Sequence, residues 1–215
     1  MARTRLLITA ATTAAAAAAL VLAVRAAHRA QLGWGATAAE RAAALPGDDL
    51  GPADLVATRA ITIAAPPAAV WPWLVQIGQG RGGFYSYDAL ENLVGLRIHS
   101  ADSIVEAWQR LAVGDDVHLA DQVALEVVAL EPDHALVLRG AVPVDDDGPS
   151  PAGFVWAFVV EPSGDGGSRL VARERYAHEA GWAGRFIPPL SWLSGVMTER
   201  MLRGIRDRAE GRRQR

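Results

Sequence analysis

A chain of 215 residues, half of them hydrophobic, suits one domain with an extra segment and can bury a sizeable core. Its net charge of -3 argues against nucleic acid as a partner, because phosphate neutralisation needs clustered positive charge. The absence of cysteine excludes disulfides, thiolate metal sites and cysteine nucleophiles, and the exclusive use of arginine as the basic residue, beside so much alanine, reflects coding bias rather than function.

The first feature along the chain is an uncharged run from Leu6 to Val24, preceded by Arg3 and Arg5 and closed by Arg25, His28 and Arg29. As a helix it would span about 28 Å, close to the ~30 Å of a bilayer core. Residues 1–30 are therefore expected to be a hydrophobic anchor or signal segment. Three readings are open: an uncleaved membrane anchor, a signal peptide cleaved among the small residues near Ala23 to Ala27, and a soluble Ala-rich helix. The slightly more positive N-terminal side places the domain outside the cytoplasm, with a cytoplasmic placement as the alternative. Residues 31–55, with Gly33, Gly35, Pro46-Gly47 and Gly51-Pro52, read as a linker carrying a short helix near Ala38 to Leu45.

The folded domain is expected over 56–211, with a basic tail over 212–215. Alternation makes Thr58 to Ile63 a strand. Pro66-Pro67 then opens a helix over Ala68 to Ile77, whose apolar face is Val70, Trp73, Leu74 and Ile77, with Pro72 as a kink or a late start. Asp88 and Glu91 have capping-box-like spacing at the start of a second short helix, which Gly95 ends. Strands follow at Val117 to Ala120, Val123 to Leu130, Ala135 to Gly140, Phe154 to Val160 and Arg169 to Tyr176. The turns Glu131 to His134 and Pro162 to Gly167 join two pairs of them as hairpins. After a Pro188-Pro189 start signal, Leu190 to Ala209 is a long amphipathic helix with the stripe Leu193, Val196, Met197, Met201, Leu202 and Ile205.

Gly78 to Gly83, GQGRGG, satisfies the dinucleotide fingerprint letter for letter, and Asp102 stands where a ribose-binding acid would be. The fingerprint requires a strand before it and a helix after it. Here the glycines join two helices, so they read as a turn.

Ala65-Pro-Pro-Ala-Ala-Val-Trp71 resembles the start of the first helix in the SRPBCC superfamily. The continuation WLVQIGQGRGGFYSYD (Trp73 to Asp88), with Glu91-Asn92 and Ile98-His-Ser-Ala-Asp102, is similar to an actinobacterial branch labelled polyketide cyclase/dehydratase-like or lipid-transport-like. Some members carry an N-terminal membrane segment. The resemblance spans about Val56 to Ala209 and marks a family better than a chemistry. It implies an α+β helix-grip fold, START-like or Bet v 1-like. A curved antiparallel sheet would wrap a long C-terminal helix, with a hydrophobic cavity between them, preceded here by the N-terminal hydrophobic helix.

Period-2 alternation assigns faces. In the last strand Arg169, Val171, Arg173 and Arg175 share one face. Three arginines do not line a core together, so Leu170, Ala172, Glu174 and Tyr176 point inward. Glu174 would then be desolvated, and it is the catalytic candidate as general acid or base, unless an arginine such as Arg81 pairs with it structurally. Phe154, Trp156, Phe158 and Val160 are read as the inward face of the preceding strand, joined by Leu136, Leu138, Leu125 and Val127. The aromatics would either stack on a ligand or pack the core.

The loop holds Arg81, Tyr85 and Tyr87, with Trp108 over the same opening. Arg81 would bind an anionic oxygen with a tyrosine donating to it, or would pair with Asp88 or Glu91 and stabilise the loop. The candidate ligand-binding set is thus Arg81, Tyr85, Tyr87, Trp108, Trp156, Phe158, Glu174 and Tyr176. The five histidines have no metal-ligand spacing, and no cofactor or metal is expected. Ser86, His99 and Asp102 can be written as a triad, but Ser86 lacks a nucleophile elbow. Asp145 to Gly148 reads as a solvated turn, and the C-terminal arginines as a polar helix face or a contact with an anionic membrane.

These readings favour a membrane-anchored domain that binds a small hydrophobic ligand, lipid or polyketide-like. Two alternatives stand beside it: a cyclase or dehydratase using Glu174 and Arg81, and a non-catalytic interaction or stress protein whose cavity is filled.

Overall fold

Alternation along the chain resolves into six strands that pair antiparallel throughout. In a computed structural model, residues 2–93, 95–141, 152–164, 166–178 and 183–212 are described, with side chains over 17–93, 95–140, 153–164, 166–177 and 191–212. The strands are β1 (Leu55–Ile63), β2 (Asp116–Ala120), β3 (Val123–Glu131), β4 (Ala135–Ala141), β5 (Ala152–Pro162) and β6 (Ser168–His178). They form one sheet in the order β1-β6-β5-β4-β3-β2, so the first strand closes against the last. The helices are α1 (Ala2–Leu32), α2 (Ala38–Ala42), α3 (Pro67–Val75), α4 (Asp88–Leu93) and α5 (Ala183–Ala209). Asp145 to Gly148 and the end of the basic tail lie outside the described residues.

Register puts the expected faces together. Trp156 stands opposite Glu174, Phe158 opposite Ala172, and Leu138 opposite Trp156. Their shared face meets α3 and α5 in one core that includes Ile61, Ile63, Leu74, Phe158, Leu170, Met201 and Ile205. α5 starts at Ala183, ahead of the expected Leu190. Its buried stripe also differs from the expectation: Leu193 and Val196 are exposed, whereas Ser191, Gly195 and Thr198 are buried with Met201, Leu202 and Ile205. The physical reason is what the upstream half of α5 meets. A Cβ on Gly195 would overlap the Gln31 side-chain amide and crowd Arg59, so this half packs on a polar patch that small and hydroxyl side chains fit.

The opposite face of the sheet is covered too. Residues 34–50, read as a linker, lie across it: Ala36 and Leu45 pack on Ala60 and Val171, and Leu50 packs on Val137, Val155 and Ala157. The three outward arginines of β6 hold this strap in place. Arg169 pairs with Glu40. Arg173, only 3% exposed, bonds Asp48 and the carbonyls of Glu40 and Ala43. Arg175 bonds Asp48 and the Gly51 carbonyl. Thr37 and Glu40 close a capping box at the start of α2.

The last turns of α1 dock on the domain. His28 Nε2 lies 2.9 Å from Ser191 Oγ, its ring stacks on Trp192, and Gln31 donates to the carbonyls of Ser191 and Trp192. Among the described residues no helix is long and apolar enough to cross a membrane. The membrane anchor and transmembrane helix expected over 1–30 therefore have no support here. The side chains of residues 1–16, which carry much of that run, lie outside those described.

Candidate functional site

Between the sheet and α5 lies a cavity of about 290 Å³. Phe154 and Trp156 of β5 form one wall, and Phe84 and Ser86, after the glycine turn, form another. α5 contributes Leu193, Ser194, Met197, Thr198 and Met201, while Leu96, Leu119 and Glu91 complete the lining. The volume is near the lower end of the ~300–1,000 Å³ common for small-molecule sites. The aromatic side chains are arrayed along β5, with Phe154 6.3 Å and Phe158 4.7 Å from Trp156, between ring centroids.

Of the four lining side chains that carry oxygen, three donate hydrogen bonds within the protein and the fourth, Glu91, does not. Ser86 donates to the Met197 carbonyl, tying the loop to α5. Ser194 and Thr198 donate at 2.8 and 2.5 Å to Glu174, which lies behind them. Glu91, only 1% exposed, has no hydrogen-bond partner on either carboxylate oxygen among the described residues. Burial, reinforced by the Asp88 carboxylate, pushes its carboxyl up to about 7. The Trp156 indole N–H is likewise buried without a partner.

Glu174 points inward, as alternation requires, but its partner is Arg59 rather than Arg81. Arg59 Nη1 lies 3.0 Å from Glu174 Oε1, with both side chains almost completely buried. Tyr176 donates to the same carboxylate at 2.8 Å. Arg59 in turn donates to the Gln31 carbonyl and side-chain oxygen, linking the network to α1. Burial and then the neighbouring carboxylate hold the Tyr176 phenol protonated well above its usual range.

The structure does not gather the candidate ligand-binding set at one place. Trp156 lines the cavity, with Phe158 fully buried beside it. Glu174 and Tyr176 form the ion-pair network behind the cavity wall. Arg81 donates to the carbonyls of Val75 and Trp108, at 2.9 and 2.7 Å, and burial lowers its pKa. Those two carbonyls take the place of the Asp88 and Glu91 partners expected from the sequence. Trp108 is half-buried at this loop contact. Tyr85 adopts a left-handed backbone, is buried, and donates to the Trp73 carbonyl, with the Arg208 guanidinium 4.8 Å over its ring. Tyr87 is 39% exposed on the outer surface. None of Arg81, Tyr85, Tyr87 or Trp108 lines the cavity.

Most amides of the glycine turn bond within the protein. Gly78 and Gly83 bond each other, Gly82 donates to Gln76, Arg81 to Gly78, and Gln79 to His118. A Cβ on Gly83 would stand 2.8 Å from the His99 carbonyl, so close backbone packing explains that glycine. Asp102 pairs with Arg208. His99 Nδ1 contacts the Ile98 carbonyl and Ser86 is bonded to Met197, so these contacts assemble no triad. Among the described residues no group of acids and histidines could hold a metal.

Sequence reasoning missed Arg59 and the cavity role of Glu91. Arg59 was legible, since it alternates onto the face of Ile61 and Ile63. Glu91 lies on a six-residue helix, too short for its pattern to assign a face.

No family model matches the chain, and no curated protein is significantly similar to it. Among solved structures, a protein of Mesorhizobium loti is similar at 17% identity over 70% of this chain and 96% of its own, with a TM-score of 0.42. The Aha1 dimer of Colwellia psychrerythraea is similar at 13% identity over 74% and 99%, with a TM-score of 0.42. Ara h 8.0201 is similar at 13% identity over 73% and 98%, with a TM-score of 0.43. The architecture itself carries the assignment: an antiparallel sheet that starts with β1 beside β6, two short helices after β1, and a long C-terminal helix over the concave face. The chain has an α+β helix-grip fold.

Proposed function

We propose that this protein binds a small hydrophobic ligand in the cavity between the sheet and α5. The observation that carries the reading is the cavity itself: about 290 Å³, walled by Phe84, Phe154, Trp156, Met197 and Met201. A protein that used this space only as core would fill it, since interiors pack to near-crystalline density and voids lose dispersion contacts. Binding requires no catalysis. Glu174 is committed to Arg59 and three hydroxyls, and Arg81 to backbone carbonyls, so the pair invoked for a cyclase or dehydratase is engaged in holding the fold.

Native mass spectrometry of the full chain, followed by solvent extraction, tests this directly. A stoichiometric apolar molecule, or uptake of a fluorescent hydrophobic probe that Met201→Trp abolishes by filling the space, is the expected result. An empty protein that takes up no such probe overturns the reading in favour of a non-binding interaction module.

A further inference from the structure

Resting on that reading, we infer that the ligand is an apolar amine, held by an ionic hydrogen bond from its protonated nitrogen to Glu91. A carboxylate buried in an apolar wall with neither oxygen satisfied is a costly arrangement in the empty protein. The other lining oxygens do not share its position: the Ser86, Ser194 and Thr198 hydroxyls already donate within the protein. Among the described residues no arginine pairs with Glu91, whereas Glu174, buried to the same degree, is paired with Arg59. The neighbouring Asp88 adds negative charge at this end of the cavity while its own oxygens are taken by Ser100, so it favours a cation without competing for it.

The walls suit the same ligand. Phe84, Phe154 and Trp156 offer aromatic faces to a flat or aliphatic body and to the cation itself. Trp156 also keeps an indole N–H free for an ether or carbonyl oxygen on the same molecule. An anionic lipid or fatty acid is disfavoured on the same grounds, because its head group would meet a carboxylate and no free cation among the lining residues.

Three probes with one body separate this inference from the reading beneath it: 2-methylnaphthalene, 2-naphthylmethanol and 2-naphthylmethylamine, titrated calorimetrically into the full-length wild type and Glu91→Gln. The amine is expected to bind the wild type at least about tenfold more tightly than the hydrocarbon, as a buried charged hydrogen bond requires. That advantage should vanish in Glu91→Gln, while the hydrocarbon binds both proteins alike. Equal binding of all three probes to the wild type overturns the amine inference and leaves the cavity reading intact. Preferential binding of the amine that survives in Glu91→Gln also overturns it, by placing the cation elsewhere. Binding of none of the three overturns the inference together with the reading. The wild-type probe series stands even if the variant fails to fold.

Discussion

Two glutamates are buried to the same degree on either side of one wall, and the protein treats them in opposite ways. Glu174 has a buried arginine at 3.0 Å and three hydroxyl donors, so its charge is fully compensated. The carboxylate of Glu91, lining the cavity, has no hydrogen-bond partner among the described residues. The difference teaches which carboxylate belongs to the framework. A buried charge that evolution has surrounded with donors is already in use. A buried charge without them is destabilising in the empty fold and becomes favourable only when something enters. The inward acid singled out by strand alternation is thus the structural one, and the acid on the short helix is the one left available.

The largest effect should come from removing the compensation around Glu174. Arg59→Leu leaves a carboxylate buried among hydroxyls with no counter-charge and cuts the link to Gln31. We expect a loss of about 3–5 kcal/mol in urea denaturation, as when one member of a buried pair is deleted. Loss of under 1 kcal/mol would mean that the hydroxyls alone carry Glu174, and the contrast with Glu91 would collapse.

Glu91→Gln should act in the opposite direction. With its pKa raised from 4.5 to about 7, the folded protein holds this proton more tightly than the unfolded chain does. The wild type is therefore most favoured below about pH 4.5 with respect to this group, and loses stability as pH rises from 4.5 through 7. The variant lacks that slope. At pH 8 and without ligand it should be more stable than the wild type by about 2 kcal/mol, less than the full shift implies because an amide is also left unpartnered. The two proteins should converge near pH 4. Parallel stability curves from pH 4 to 8 would show that Glu91 finds a partner in solution.

How much of this was legible follows from the range of each signal. Alternation is local, so it placed Glu174, Trp156 and Phe158 on the concave face and bounded most strands within a few residues. It assigned Arg169, Arg173 and Arg175 to the convex face as well. It could not report that residues 34–50 return to cover that face, because a strand pattern records which side a residue takes and not what lies over it. The same limit applies to partners. Arg59 and Glu174 are 115 positions apart and meet diagonally across β1 and β6, a contact that exists only once the first strand is known to pair with the last. Arg81 was read as a ligand group because its loop carries aromatics and glycines, yet its carbonyl partners leave no trace in a sequence. The α5 stripe was misplaced at Leu193 and Val196 for a related reason: hydrophobicity marks the buried face only where the partner surface is apolar.

A smaller perturbation asks whether the donors to Glu174 act singly. Tyr176→Phe keeps the ring against Phe154, 5.0 Å away between centroids, and removes one hydroxyl from the carboxylate. Because Arg59, Ser194 and Thr198 remain, the expected loss is about 1.5 kcal/mol, at the low end for a hydrogen bond to a charged group. A loss equal to that of Arg59→Leu would mean that the network fails as a unit.

The smallest effect concerns a third carboxylate, at the strap. Glu40 is drawn down from 4.5 to about 2, first by its hydrogen bond with Arg169 and, against the cost of burial, by the Thr37 amide and hydroxyl. Its sign is the reverse of that of Glu91. The stabilisation is complete above about pH 4.5 and is lost as pH falls through 2. Glu40→Gln should therefore cost about 1 kcal/mol at pH 7, discounted because both side chains of the pair are partly solvated. The deficit relative to wild type should shrink as the buffer is taken below pH 3. If the deficit stays constant with pH, the glutamate acts through its capping box and not through its charge. The strap would then be held by Asp48 and the other two arginines alone, leaving Glu174 as the only carboxylate of the three whose charge stabilises the fold.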